Sequence, residues 1–133
     1  MNHENHEKHE SLLYPDEVFR IQGAVFDVYR TMGAGFLEGV YQECLGFELA
    51  ERGIPFAPLQ PLALRYKGRV LQHSYVADFV CFDRIILELK AVRDLAPEHR
   101  AQTFNYLKAS GLRLGLLINF GVTPKVKIER FAL

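Results

Sequence analysis

The octet Ile85-Ile86-Leu87-Glu88-Leu89-Lys90-Ala91-Val92 constrains this chain more than any other stretch. An apolar run of this length reads as a central β-strand. Glu and Lys are almost never fully buried unless paired, yet Glu88 and Lys90 interrupt the run two residues apart. Residues two apart on a strand share a face. Glu88 and Lys90 therefore project side by side, while Leu87, Leu89 and Ala91 point the other way into the core.

Asp78 interrupts the preceding strand in the same manner, within Tyr75-Val76-Ala77-Asp78-Phe79-Val80-Cys81-Phe82. A turn at Asp83-Arg84 lies about midway between Asp78 and Glu88. A hairpin folded there sets Asp78 roughly opposite Glu88 or Lys90, and three charged groups meet on one face of a sheet. Two readings stand side by side. One is a structural ion pair, Glu88–Lys90 or Asp78–Lys90. The other is a cation site: close carboxylates resist ionising together unless a cation sits between them. Mg²⁺ takes one or two carboxylates together with water and substrate phosphate. A lysine alongside supplies a compact positive charge to an attacking water or a phosphoryl oxygen.

The elements around this strand follow from period and punctuation. Val18, Ile21, Val25, Val28 and Met32 form a helical stripe that begins at Asp16 and ends at Gly33-Ala34-Gly35. A second helix is expected from about Leu37 to Arg52, with Val40, Cys44, Phe47 and Ala50 or Glu51 on its apolar side and Gly53 as its stop. The period then changes to two. Leu62, Leu64 and Tyr66 alternate with Ala63 and Arg65, Lys67-Gly68 makes a tight turn, and Val70 to Phe82 is the second strand. Pro97 opens a helix to about Ser110. Leu112 to Phe120 is a compact apolar strand, expected parallel to the third across a right-handed crossover. Lys125 to Phe131 is a short strand for the edge. The order ααβββαββ predicts an α/β fold, a mixed sheet covered by helices.

Three further residues carry candidate roles. Gln102 and Tyr106 are four apart on the third helix and share a face. They can orient a water or phosphate and stack on a base, or be ordinary half-buried residues. Glu38 opens the second helix, where a carboxylate suits the helix dipole; its other reading is a third acidic ligand.

Charge narrows the partners. The chain has 133 residues, 16 basic and 16 acidic, for a formal net charge of zero. Residues 1–60 carry 4 basic and 10 acidic side chains, and residues 61–133 carry 12 and 6, so the halves are −6 and +6. A neutral total can hide a basic face on the C-terminal half, or the halves can simply neutralise each other. Residues 1–12 read as a disordered polar tail in which His3, His6 and His9 recur every third position. Cys44 and Cys81 sit inside apolar patterns, lack zinc spacing and read as buried thiols. No apolar run reaches the ~18–20 residues of a membrane span, and the N-terminus is not a signal peptide. A cytoplasmic protein with no membrane partner is expected.

Gly35-Phe36-Leu37-Glu38-Gly39-Val40-Tyr41 matches Gly-x-x-Glu-x-x-Tyr. Together with Tyr66-Lys67-Gly68, Asp78, Glu88-Leu89-Lys90, Gln102-x-x-x-Tyr106 and Leu117-Ile118-Asn119-Phe120-Gly121, it resembles the GxxExxY proteins. That group is placed in the PD-(D/E)xK nuclease superfamily, with its restriction-endonuclease-like fold. The resemblance runs from about Tyr14 onward and implies one nuclease-like domain over residues 13–133. It implies that Asp78 and Glu88 are metal-binding carboxylates, that the Leu89 carbonyl joins them, and that Lys90 is the catalytic lysine. Glu38 looks like the acidic residue of the first core helix, reaching the metal directly or through water. Gln102 and Tyr106 look like the Gln-x-x-x-Tyr element of the exonuclease-related branch. Ala77 stands where the superfamily name has proline. The implied activity is Mg²⁺-dependent hydrolysis of phosphodiester bonds in DNA, with Mn²⁺ as a substitute metal and a homodimer as a simple way to cut both strands. The alternative is a nucleic-acid-binding or assembly module with little or no catalysis of its own.

Overall fold

The computed structural model describes residues 13–133; the N-terminal tail, with His3, His6 and His9, lies outside the described residues. Two helices, α1 (Pro15–Met32) and α2 (Glu38–Glu51), precede a meander of β1 (Phe56–Tyr66), β2 (Arg69–Cys81) and β3 (Ile85–Lys90). Helix α3 (Pro97–Ser110), strand β4 (Leu114–Asn119) and strand β5 (Lys127–Ala132) complete the chain. The sheet runs β1-β2-β3-β4-β5. Only β3 and β4 pair in parallel, from Ile85↔Leu114 to Lys90↔Asn119. The α/β class, the mixed sheet and the order ααβββαββ are those expected from the sequence.

The core has two sides. Val18, Ile21, Val25 and Val28 of α1 and Tyr41, Leu45 and Leu49 of α2 pack on Phe79, Leu87, Leu89, Leu116 and Ile118. On the other face Leu107 of α3 meets Tyr75, Ala77, Val80 and Ile86. The α1 stripe is the one its period predicts. The α2 stripe is not: Tyr41, Leu45 and Leu49 are buried, whereas Phe47 is 71% exposed. Apolar residues surround this helix on most sides, so its period carries little information, and packing against the sheet selects the face.

Strand β1 begins six residues earlier than the alternation at Leu62 suggested. Pro55, Pro58 and Pro61 hid it, because proline removes a ladder donor. The strand is at an edge of the sheet, where proline is tolerated. In β3 the ladder stops at Lys90, short of Val92.

The β1–β2 pairing shifts register between Ala63 and Arg65, and it is interrupted again near Asp78. The β1–β2 ladder runs Pro58↔Phe79 and then Gln60↔Ala77, skipping Leu59 opposite Asp78. Leu59 has φ 47°, uncommon for a branched side chain. The alternation also changes phase there: Tyr75 and Ala77 join the α3 side, while Phe79 and Cys81 join the α1–α2 side. The β2–β3 ladder ends at Phe79↔Leu87. A kink thus sits at Asp78, at the point where β2 stops pairing with β3.

Candidate functional site

Where that ladder ends, carboxylates replace carbonyls as acceptors. The Asp78 N–H donates to Glu88 Oε1 at 3.2 Å, and the Leu89 N–H donates to Asp78 Oδ2 at 2.7 Å. Each acid thus satisfies a main-chain donor of the opposite strand. One oxygen of each takes these bonds, and the second is left for other partners. A backbone donor freed by a kink would otherwise be buried without a partner, and bonds to charged acceptors are worth about 1.5–3 kcal/mol each. The hairpin expected from the turn position therefore brings Asp78 to Glu88, and the two strands are joined there through side chains.

Lys90 follows Glu88 on the same face of β3 and is half-buried. Among the described residues it forms no ion pair with Asp78 or Glu88. The structural ion pair that the sequence allowed is thus not made. The charge of Lys90 still acts on all three acids, favouring the ionised forms of Glu38, Asp78 and Glu88.

Burial dominates the electrostatics. It pushes the Glu88 carboxyl up to about 7; the neighbouring charge of Asp78 adds to the rise, and Tyr75, the Asp78 N–H and Lys90 oppose it. Burial also raises Asp78 against the Leu89 N–H and Lys90. Two desolvated carboxyls at one spot, short of countercharge, are a favourable setting for a cation. The donors are hard oxygens, which suit Mg²⁺ or Mn²⁺ and not a soft metal. Among the described residues no group of three His, Cys, Asp or Glu side chains is close enough to hold an ion. A metal here would rest on two carboxylates, with a carbonyl, water or phosphate completing its shell.

Glu38 lies at the exposed rim, as the first residue of α2. Its carboxyl is raised by burial, lowered by Lys90, raised by Asp78 and lowered by His99, so it feels the site electrostatically. The loop before it explains the Gly-x-x-Glu-x-x-Tyr spacing. Gly35 has φ 113°, a conformation open to glycine. The Tyr41 hydroxyl donates to the Gly33 carbonyl and accepts the Phe36 N–H. The Tyr41 ring stacks on Phe120 at 4.5 Å, just past β4. Tyr41 thereby ties the loop and the first turn of α2 to the end of the sheet that holds Lys90.

Gln102 and Tyr106 reach the site indirectly. Gln102 Nε2 lies 3.5 Å from the Tyr106 hydroxyl. The Tyr106 ring stacks on Tyr75 at 3.8 Å between centroids, and Tyr75 adjoins Glu88. Gln102 itself is exposed. The Tyr75 hydroxyl is buried and lacks a partner at ordinary hydrogen-bond geometry among the described residues. Burial and then the charge of Glu88 hold it firmly un-ionised.

Sequence reasoning missed Tyr75 and His99. The change of phase at Asp78 hides Tyr75, because counting by twos along β2 does not place it correctly relative to the acids. His99 lies in the first turn of α3, where its Nδ1 accepts the Ala96 N–H at 3.1 Å. Its helix follows directly from the loop after β3, and that adjacency was the available signal.

Asn119 holds the far wall. Its Oδ1 accepts the N–H groups of Val92 and Gly121, and its Nδ2 donates to the Val92 carbonyl at 2.9 Å. This side chain ties the segment after Lys90 to the end of β4, where strand pairing has stopped. Gly121 is pressed against the same segment: a Cβ there would come within 2.4 Å of the Val92 main chain.

Comparison with known proteins gives one match. The family described as the PD-(D/E)XK nuclease superfamily matches residues 15–131. No curated protein and no solved structure matches. No helix among the described residues is long and apolar enough to cross a membrane.

Proposed function

The chain belongs to the PD-(D/E)XK nuclease superfamily, and on that premise we propose that it hydrolyses phosphodiester bonds in DNA at the Asp78–Glu88–Lys90 cluster with the aid of Mg²⁺ or Mn²⁺. The observation that carries this reading is the reciprocal bonding of Asp78 and Glu88 across the end of the ladder. It fixes both carboxylates side by side and leaves each an oxygen for a cation.

Asp78, Glu88 and the Leu89 carbonyl would hold the metal, with Glu38 contributing through water. Once bound, such an ion acidifies water and offsets charge on the phosphate. The chain's own groups do the positioning. Lys90, unpaired beside the acids, orients the attacking water and faces the charge that builds on the phosphoryl oxygens. Tyr75, beside Glu88, favours the ionised form of that carboxyl. Gln102 and Tyr106 present donors and a ring edge to the substrate strand.

Within the superfamily the GxxExxY group is the finer assignment, supported by the role of Tyr41 in setting the loop before Glu38. We further assign residues 13–133 to a single nuclease domain acting in the cytoplasm, with free Cys44 and Cys81 thiols. A homodimer would let one site address each strand.

The test is a calorimetric titration of Mn²⁺ into the wild type and Asp78→Asn, followed by cleavage assays. Asparagine keeps an oxygen for the Leu89 N–H, so the fold should persist. Binding by the wild type alone, with cleavage of DNA, is the expected result. If neither protein binds, even with a short uncleavable duplex present, the reading fails. Salt-dependent DNA binding without metal binding would then favour a binding module.

A further inference from the structure

Tyr66-Lys67-Gly68, one of the sequence motifs, takes no part in the site. It forms the tip of the β1–β2 ribbon, turning through Lys67 and Gly68 at φ 48° and 80°. Residues 65–74 are all exposed. The ribbon is anchored at its base, where Leu62 and Leu64 pack against the buried cluster of Tyr75, Ala77, Val80, Ile86 and Leu107. A bare two-stranded ribbon has little stability of its own, so this one is held by its base and presents its end to solvent.

That end is cationic. No Asp or Glu occurs between Glu51 and Asp78, while Arg65, Lys67 and Arg69 cluster at the turn. None of the three makes an ion pair among the described residues. Arg65 pairs with Val70 and Tyr66 with Arg69. Directly opposite residues share a face of the ribbon. Arg69 and Tyr66 therefore lie on one face and Arg65 and Val70 on the other, with Lys67 at the end, its ammonium 5.5 Å from the Tyr66 ring.

Positive charge on both faces fits a groove with phosphates along both walls. A flat anionic surface would engage only one face. The major groove of B-form DNA admits a two-stranded ribbon, whereas the deep, narrow major groove of duplex RNA does not. Arg69 and Asp78 lie on the same strand. Their separation, nine residues, is at most about 30 Å at the rise of an extended strand, close to the ~34 Å of one DNA turn.

We propose that the end of the β1–β2 ribbon, residues 65–74, seats in the major groove of duplex DNA about one helical turn from the phosphate that faces the Asp78–Glu88–Lys90 cluster. The location rests on the nuclease reading; the choice of partner rests on the ribbon's own charge and shape.

The experiment compares the full chain with the triple variant Arg65→Ser, Lys67→Ser, Arg69→Ser, and with Lys67→Glu as a lighter perturbation. Affinity for a DNA duplex of about 30 base pairs is measured without metal from about 50 to 200 mM salt. The triple variant should flatten the slope of log affinity against log salt by up to about 2.7, at about 0.9 per phosphate contact. Lys67→Glu should flatten it by about 1. On duplex RNA wild type and triple variant should bind alike.

An unchanged slope on the long DNA overturns the inference, as does an equal loss on duplex RNA or absence of DNA binding by the wild type. Mn²⁺ binding separates the two claims. A flattened slope with no metal binding leaves the ribbon contact standing and removes the nuclease reading. Metal binding and cleavage with an unchanged slope remove the ribbon contact alone.

Discussion

Replacing Glu88 by glutamine reads the site through stability, without substrate. Burial raises the Glu88 carboxyl from its ordinary 4.5 to about 7. At about 1.4 kcal/mol per tenfold change, this disfavours the folded metal-free chain by on the order of 3 kcal/mol once both states are ionised. The pH window follows from the sign. Below pH 4.5 the folded and unfolded chains both carry the proton and the effect vanishes. Between 4.5 and about 7 the unfolded chain releases its proton first, so stability falls as pH rises. Above about 7 the whole loss is in place. Glutamine keeps the shape and an oxygen for the Asp78 N–H but carries no charge. In urea denaturation with a chelator, Glu88→Gln should exceed the wild type by on the order of 3 kcal/mol near pH 8 and match it near pH 4. Asp78 and Glu38 are raised by burial too, but both are present in either protein and largely cancel in the difference. Mn²⁺ at about a hundred times its dissociation constant should return about 2.7 kcal/mol to the wild type and little to the variant. A stability difference that stays flat with pH would refute the claim that Glu88 is a desolvated, uncompensated carboxylate.

Other expectations concern single side chains. Lys90→Ala should lower DNA cleavage by about 10²–10³-fold in single-turnover assays, with Mn²⁺ binding retained, because it removes a charge aimed at the transition state. Gly121→Ala should lose at least about 1–3 kcal/mol in thermal denaturation, since its Cβ meets the Val92 main chain and not a movable side chain. Leu45→Ala should lose about 2–5 kcal/mol, whereas Phe47→Ala should change stability by no more than about 0.5 kcal/mol. The reverse ranking would mean that α2 packs on the face its sequence period suggested.

Much of this protein is legible along the chain because it depends on neighbours in sequence. Helix α1 has a clean apolar stripe and glycines at its end. Strand β3 is a short apolar run whose two charged residues are conspicuous by their spacing, and the turn at Asp83 places Asp78 across from it. Those local signals were enough for the element order, the mixed sheet and the placing of Asp78 across from Glu88. Tertiary structure decided what depends on distant contacts. It set the buried face of α2, where apolar residues point in most directions, and the early start of β1, which three prolines concealed. It also decided how the acids meet: the kink opposite Leu59 ends the ladder, turns Tyr75 toward Glu88 and hands main-chain donors to carboxylates. A carboxyl's displacement to about 7 sums the desolvation from every element packed around it, and a count of residues along one strand does not contain that sum.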